Sequence, residues 1–505
     1  MSTPPLVGRF ATLADAFEAA ARQHATRVAY VEGESRLTFA DWYRRSDAVA
    51  AGLVERGVGP GDVVAIMLPS SIDFAIAYGA ITLAGGVVTG LNTRLGAREV
   101  AAILERSQPA CIVVDPQAFS TLPPVDGVVV DGDEMTVLAT GAGLGVRRPT
   151  RDPGDPAVII WTSGTTGVPK GAWFDHRNLE AAVHSAGVMS AAYDVKLVGT
   201  PFAHAGYMAK LWDQLAWGTS TVIAPTPWTA SDMLRLLVAE RITVAGGVPT
   251  QWAKLLELPD VAAADLSHLR IGLVATAPAP PELVERAVDT IGCPLVVRYA
   301  MTESPSIAGT EPDDPAEVQF RTVGRPQAGM QIELVDSDGQ EVAPGEIGTI
   351  RIRGACVMRG YWRDPDNTSR LLSDDGWLTS SDLGRFDDDG CLVIVGRADD
   401  MYIRGGYNVY PLEVENVLCE HPAVDCVSVI GLPTPVIGEI GVAFVVPADR
   451  AATPDLAELR EWVAARLADY KSPDRLVIID SLPLTAMMKV DKVALGAIAR
   501  REAKT

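Results

Sequence analysis

The sequence predicts an α/β protein, with a large layered α/β N-terminal domain followed by a small α+β C-terminal one. Three observations carry that expectation. Helical and strand-like segments alternate from Thr38 to Val114, the pattern of a largely parallel sheet covered by helices. A short apolar run from Pro156 to Trp161 reads as a buried strand and feeds a loop of glycines, hydroxyls and one lysine. The last hundred or so residues carry a helix, two strands and a helix, too little to enclose a substrate alone. At 505 residues, two or more domains are expected rather than one.

In order, Thr38 offers a hydroxyl cap to an amphipathic helix that closes by Gly57, and Val63 to Leu68 is strand-like. A helix from about Ser71, a glycine stop at Gly85-Gly86 and a strand through Val87-Val88 account for the uncharged run Phe74 to Leu91 better than a membrane span does. Ala97 to Glu105 and Ala110 to Val114 repeat the alternation. Pro116 to about Asp155 is rich in Gly, Pro and Asp and weakly patterned. Helix resumes at Asn178, and Asp387-Asp388-Asp389-Gly390 is a hairpin-turn signal. Beyond it, Leu412 to Cys419 and Asp455 to Leu467 read as helices, with strands at Cys426 to Ile430 and Val442 to Val446.

The composition, 48% hydrophobic and 21% charged, is that of an ordinary globular protein. A net charge of -21 argues against nucleic acid or an anionic membrane as a general partner. An anionic substrate must then be met by a local positive site. Six scattered cysteines without metal-ligand spacing fit reduced thiols in a cytoplasmic enzyme, and the N-terminus has no charged-then-apolar signal pattern.

The loop is Trp161-Thr162-Ser163-Gly164-Thr165-Thr166-Gly167-Val168-Pro169-Lys170-Gly171. Its glycines let backbone N–H groups approach an anion, the hydroxyls of Thr162, Ser163, Thr165 and Thr166 add donors, and Lys170 supplies a positive charge. A Walker loop needs four residues between its glycines and a helix after the lysine. Here two residues separate Gly164 from Gly167, and Gly171-Ala-Trp-Phe looks like a returning strand. It is a phosphate cradle of another kind.

This loop resembles the signature of the adenylate-forming superfamily, which comprises acyl- and aryl-CoA ligases, luciferases and the adenylation domains of peptide synthetases. The resemblance extends over roughly residues 37 to 495. It implies ATP, Mg²⁺ and coenzyme A as reactants and cofactor, and an AMP-forming ligation of a carboxylic acid to a thiol. Arg298-Tyr299-Ala300-Met301-Thr302-Glu303 is similar to the superfamily's Tyr-Gly-x-Thr-Glu. Tyr299 then faces the adenine, Thr302 meets the α-phosphate, Glu303 holds the metal, and Ala300 forms the acyl-pocket wall. Thr276, Ala277 and Pro278 match the turn bordering the adenine, and Asp382 is placed to accept both ribose hydroxyls. Ser381 stands where relatives have glycine.

Arg397 is implied at the ribose or phosphate. Asp399 falls at the hinge, which divides the chain into an AMP-binding domain, 1–397, and a mobile lid, 398–505. Gly405 and Gly406 are implied to border the pantetheine thiol channel. His204 falls at the wall between acyl pocket and thiol channel. Ala203 replaces the aspartate that amino-acid-activating relatives use. Lys489 matches the lysine that reaches the carboxylate and α-phosphate, although Met488 replaces the glycine before it. The expected substrate is a medium-to-large apolar or aromatic acid. The expected acceptor is coenzyme A, with a carrier-protein phosphopantetheine or another nucleophile as the alternative. A homodimer is compatible with this class.

Overall fold

The computed structural model describes residues 6, 10–117, 122, 128–143, 149–162, 169–275, 281–434, 437–485 and 490–502. The local signals hold. Thr38 caps the helix Phe39–Glu55 by accepting from the Asp41 N–H, and Ser71 caps Ile72–Leu83 through the Phe74 N–H. Each cap satisfies a donor the helix leaves unpaired, worth about 1 kcal/mol. The helix Ile72–Leu83 is buried on every side, which is why its sequence carries no polar stripe.

The first sheet has seven strands, and its parallel centre runs through Pro156–Thr162, Val87–Gly90, Val63–Met67, Cys111–Val114 and Val128–Asp131. Lys170–Asp175 returns antiparallel to Pro156–Thr162, as expected, and Gly360–Tyr361 pairs outside it. The strand Val128–Asp131 and helix Gly132–Leu138 fall in the stretch that reads as weakly patterned.

A nine-stranded sheet lies beside it. It is parallel from Val28–Glu32 through Ser220–Ile223, Val195–Val198, Val244–Gly247 and Ile271–Ala275 to Leu295–Met301, and antiparallel at both edges. Trp42, Phe17, Tyr30, Phe74 and Phe202 are buried together between helices and sheets, forming the largest apolar core. An antiparallel four-stranded sheet, 330–397, follows. Its acidic turn closes as expected, with Gly390 at φ +73° and the Asp387 carboxylate accepting from the Asp389 and Cys391 N–H groups.

From Tyr402 onward every described strand joins one separate five-stranded sheet, packed by the helices Pro411–Cys419, Leu456–Ala464 and Lys492–Glu502. The architecture is thus a large α/β N-terminal part and a smaller C-terminal α+β part. The link between them is a turn at 398–400, which follows the strand Leu392–Arg397 directly. Among the described residues no helix is long and apolar enough to cross a membrane, and all six cysteines are free thiols.

Candidate active site

One hairpin organises the site. The strands Leu295–Met301 and Ser304–Gly309 pair antiparallel, and Thr302 and Glu303 are the two residues of the turn between them. Such a short connection fixes where its side chains point. Tyr299 on the first strand and Glu303 in the turn are therefore carried by one hairpin.

At the Tyr299 end, its phenol donates to Asp382 Oδ2 at 2.5 Å. Burial, first, and then the Asp382 charge push the Tyr299 pKa well above its ordinary value, so it stays a donor. Asp382 lies opposite Arg397 in strand register, with Arg397 Nε 3.5 Å from Asp382 Oδ1. Ser381, the replacement for a glycine, leaves that register in place and accepts from Arg397 Nη2 at 2.6 Å. A carboxylate held by one neutral donor beside a half-exposed guanidinium suits vicinal hydroxyls and a nearby phosphate.

At the Glu303 end, Oε1 accepts from the Tyr361 hydroxyl at 2.6 Å, and the Met358 N–H donates to the Glu303 carbonyl at 2.8 Å. Glu303 is 8% exposed and Tyr361 5%. Lys170 Nζ lies 5.5 Å from the centre of the Tyr361 ring, a cation–π distance. Lys170 is paired with Thr162 in the strand register, so those two residues form the neck of the phosphate loop. Tyr361 is the residue that sequence reasoning missed. Its contact with Glu303 spans 58 positions and depends on a two-residue strand too short for any pattern.

A single buried carboxylate with one oxygen already engaged suits Mg²⁺, which takes one or two carboxylates and fills its shell with phosphate oxygens and water. Among the described residues no three His, Cys, Asp or Glu side chains form a dedicated metal cage.

His204 is the N-cap of the short helix Ala205–Met208, and its Nδ1 accepts from the Gly206 N–H at 3.2 Å. The segment is held from beneath: the Phe202 ring stacks on Tyr207 at 3.7 Å and the Phe202 N–H donates to Ser70 Oγ. Ala300 is exposed at the strand end. Gly405 and Gly406 are the two-residue turn between Tyr402–Arg404 and Tyr407–Val409, at φ +60° and +90°. A Cβ at either would meet nothing within 4 Å, so here the turn conformation, not close approach, requires glycine. Ser163, Gly164, Thr165, Thr166, Gly167, Thr276, Ala277, Pro278 and Lys489 lie outside the described residues. The neck of the Lys489 loop is described. Leu484 and Val490 form an antiparallel bridge, and the Asp491 N–H donates to the Pro483 carbonyl at 2.8 Å.

Fold and site together define a nucleotide-using, adenylate-forming enzyme. The model of the AMP-binding enzyme family matches residues 17–362, and that of the AMP-binding enzyme C-terminal domain matches 413–489. The chain is 35% identical to a feruloyl-CoA synthase of an Amycolatopsis species over 95% of this chain and 96% of that one. It is 34% identical to a methyl-dioxo-octahydroindenyl-propanoyl:CoA ligase of Rhodococcus jostii over 96% and 98%. The crystal structure of ATP-bound MatB from Rhodopseudomonas palustris superposes with a TM-score of 0.88 at 30% identity, covering 96% and 98%. The chain belongs to the AMP-binding enzyme family of the adenylate-forming superfamily.

Proposed function

We propose that the protein is an AMP-forming acid:CoA ligase that activates a medium-to-large apolar or aromatic carboxylic acid. The carboxylate attacks the α-phosphorus of ATP, giving an acyl-adenylate and pyrophosphate. The sulfur of coenzyme A then attacks the acyl carbon, and AMP leaves as the thioester forms. The observation that carries this reading is one hairpin bearing two sets of contacts: Tyr299 donating to the Asp382 acceptor, and Glu303 held by Tyr361, over whose ring Lys170 lies.

In this reading Asp382 accepts the ribose hydroxyls, Arg397 neutralises charge beside them, and the loop from Thr162 to Lys170 cradles the β- and γ-phosphates. Glu303 would hold Mg²⁺ together with phosphate oxygens, and the metal when bound would supply charge withdrawal from the departing pyrophosphate. Lys489 stabilises the pentacovalent α-phosphate. No covalent nucleophile on the enzyme is required; positioning and fixed charge lower the barrier. The domain boundary falls at about 398, and the small domain turns there between half-reactions, bringing Gly405 and Gly406 to the thiol path beside His204. The protein acts in the cytoplasm. Coenzyme A is the acceptor favoured over a carrier-protein thiol, because the relatives above are CoA ligases over nearly their whole length.

Ala203 offers no carboxylate for a substrate ammonium, and Ala300 leaves the pocket open where acetate-activating relatives carry an indole. Each methylene buried adds roughly 0.8 kcal/mol, so kcat/KM is expected to climb with acid size until the pocket is full. Ala300→Trp is expected to shift preference toward short acids. A panel from acetate to long-chain and aryl acids tests both expectations; acetate or an amino acid as the best substrate of the unmutated enzyme would sink the pocket reading.

A further inference from the structure

We propose that Tyr361 is a positioning residue for the metal: its hydroxyl sets the Glu303 carboxylate for Mg²⁺ and so decides how much the metal strengthens ATP binding. The inference rests on the ligase reading and deepens it by giving a role to a residue that the reading itself does not need.

Glu303 stands in a two-residue turn, and three rotatable bonds separate its backbone from its carboxylate. Among the described residues one group donates to that carboxylate, the Tyr361 hydroxyl, 2.6 Å from Oε1, and Oε2 accepts no hydrogen bond. A glutamate free to sample its rotamers must be ordered by the metal it binds. One that is ordered beforehand loses none of the binding energy to that step, and partners that orient a ligand in this way typically change metal affinity by about 10- to 100-fold.

Tyr361 is itself firmly placed. The strand Gly360–Tyr361 pairs with Lys170–Asp175, with Tyr361 opposite Ala172. The flanking Arg359 and Trp362 N–H groups donate to the Trp173 and Gly171 carbonyls at 2.9 and 2.7 Å. The Tyr361 N–H donates to Thr368 Oγ1 at 2.9 Å, and the Thr368 hydroxyl donates to the Asp364 carbonyl at 2.7 Å. Gly360, at φ +147°, lets the helix Pro365–Leu371 come this close, since a Cβ there would stand 2.9 Å from Thr368 Cγ2. The same segment reaches back to the turn, where the Met358 N–H donates to the Glu303 carbonyl at 2.8 Å. Backbone and side chain of Glu303 are thus held by neighbouring residues of one segment, and that segment is bonded to the strand that begins at Lys170. A phenylalanine at 361 keeps the buried ring, 5.5 Å from Lys170 Nζ, and removes the hydroxyl alone.

The test is calorimetric titration of the full chain with ATP, without any acid, once in EDTA and once in excess Mg²⁺. It compares the unmutated protein with Tyr361→Phe, Glu303→Gln and the double variant. Mg²⁺ is expected to tighten ATP binding by the unmutated protein, and that gain is expected to fall roughly 10-fold or more in Tyr361→Phe, with the affinity in EDTA moving far less. Glu303→Gln is expected to lower the gain as well, and adding Tyr361→Phe to it to lower the gain no further, because the hydroxyl acts through that carboxylate. A hydroxyl that only supports the fold would instead lower the melting temperature in EDTA and weaken ATP binding equally with and without metal; that result overturns the proposal. An unchanged gain in Tyr361→Phe, or a further fall in the double variant, overturns it too. Should Tyr361→Phe not fold, Thr368→Val, which releases the Tyr361 N–H, is read in the same ratio: a fall in the gain supports the proposal and an unchanged gain overturns it. No ATP binding by the unmutated protein overturns the ligase reading, whereas ATP binding that gains equally from Mg²⁺ in every variant overturns this inference and leaves that reading standing.

Discussion

Lys489→Ala is expected to lower adenylate formation at least ~100-fold, about 2.7 kcal/mol of transition-state stabilisation. The charge that accumulates as the carboxylate meets the α-phosphorus needs a fixed cation, and Lys170 sits at the opposite, β/γ end of the triphosphate in the proposed arrangement. The residues on either side of the Lys489 loop are held together. The Leu484–Val490 bridge pins both ends of the loop. Lys492, three positions on, pairs with Asp400 at 2.9 Å and so ties the loop to the turn that joins the two parts of the protein. In the proposed reaction the lysine serves the first half-reaction only, so thioester formation from pre-made adenylate is expected to survive. Separate half-reaction assays check this, and an equal loss in both contradicts the assignment.

Asp399→Pro is expected to leave adenylate formation in place and to lower CoA-dependent release of AMP by ~100-fold or more, because proline fixes φ where a rotation must change it. The change removes no backbone hydrogen bond recorded in the present conformation. The flanking Ala398, Asp400 and Met401 N–H groups donate to the Ser381 and Arg397 carbonyls, whereas the Asp399 N–H makes no backbone hydrogen bond among the described residues. The Asp399 carboxylate is half-exposed and 3.7 Å from Arg397, so its loss costs little. Rapid-quench measurement of pyrophosphate and thioester separates the steps; normal overall turnover would remove the need for a moving lid.

What the sequence made legible was local chemistry. Thr38, Ser71 and Asp455 announce helix starts because a short hydroxyl or carboxylate satisfies an N–H two or three residues away. The acidic turn at 387–390 and the returning strand after Lys170 are equally local. Tyr299, Glu303 and Asp382 are singled out by motif resemblance, and the fold brings Tyr299 and Asp382 into contact. What was not legible is long-range. Nothing in the chain indicates that Val28–Glu32 pairs with Ser220–Ile223, that Tyr361 holds Glu303, or that Ser381 holds Arg397. The glycine pair at 405–406 is read from the sequence as bordering a thiol channel, whereas in the conformation described its positive φ values account for both glycines as a turn.

The central claim is that one chain makes an acyl-adenylate and then a thioester of coenzyme A. The most direct measurement follows pyrophosphate and AMP together from ATP, Mg²⁺ and an aryl or medium-chain acid, with and without CoA. The account predicts pyrophosphate without CoA, with little free AMP, and stoichiometric AMP and acyl-CoA once CoA is added. Pyrophosphate release that is indifferent to CoA, with no thioester formed, would contradict it.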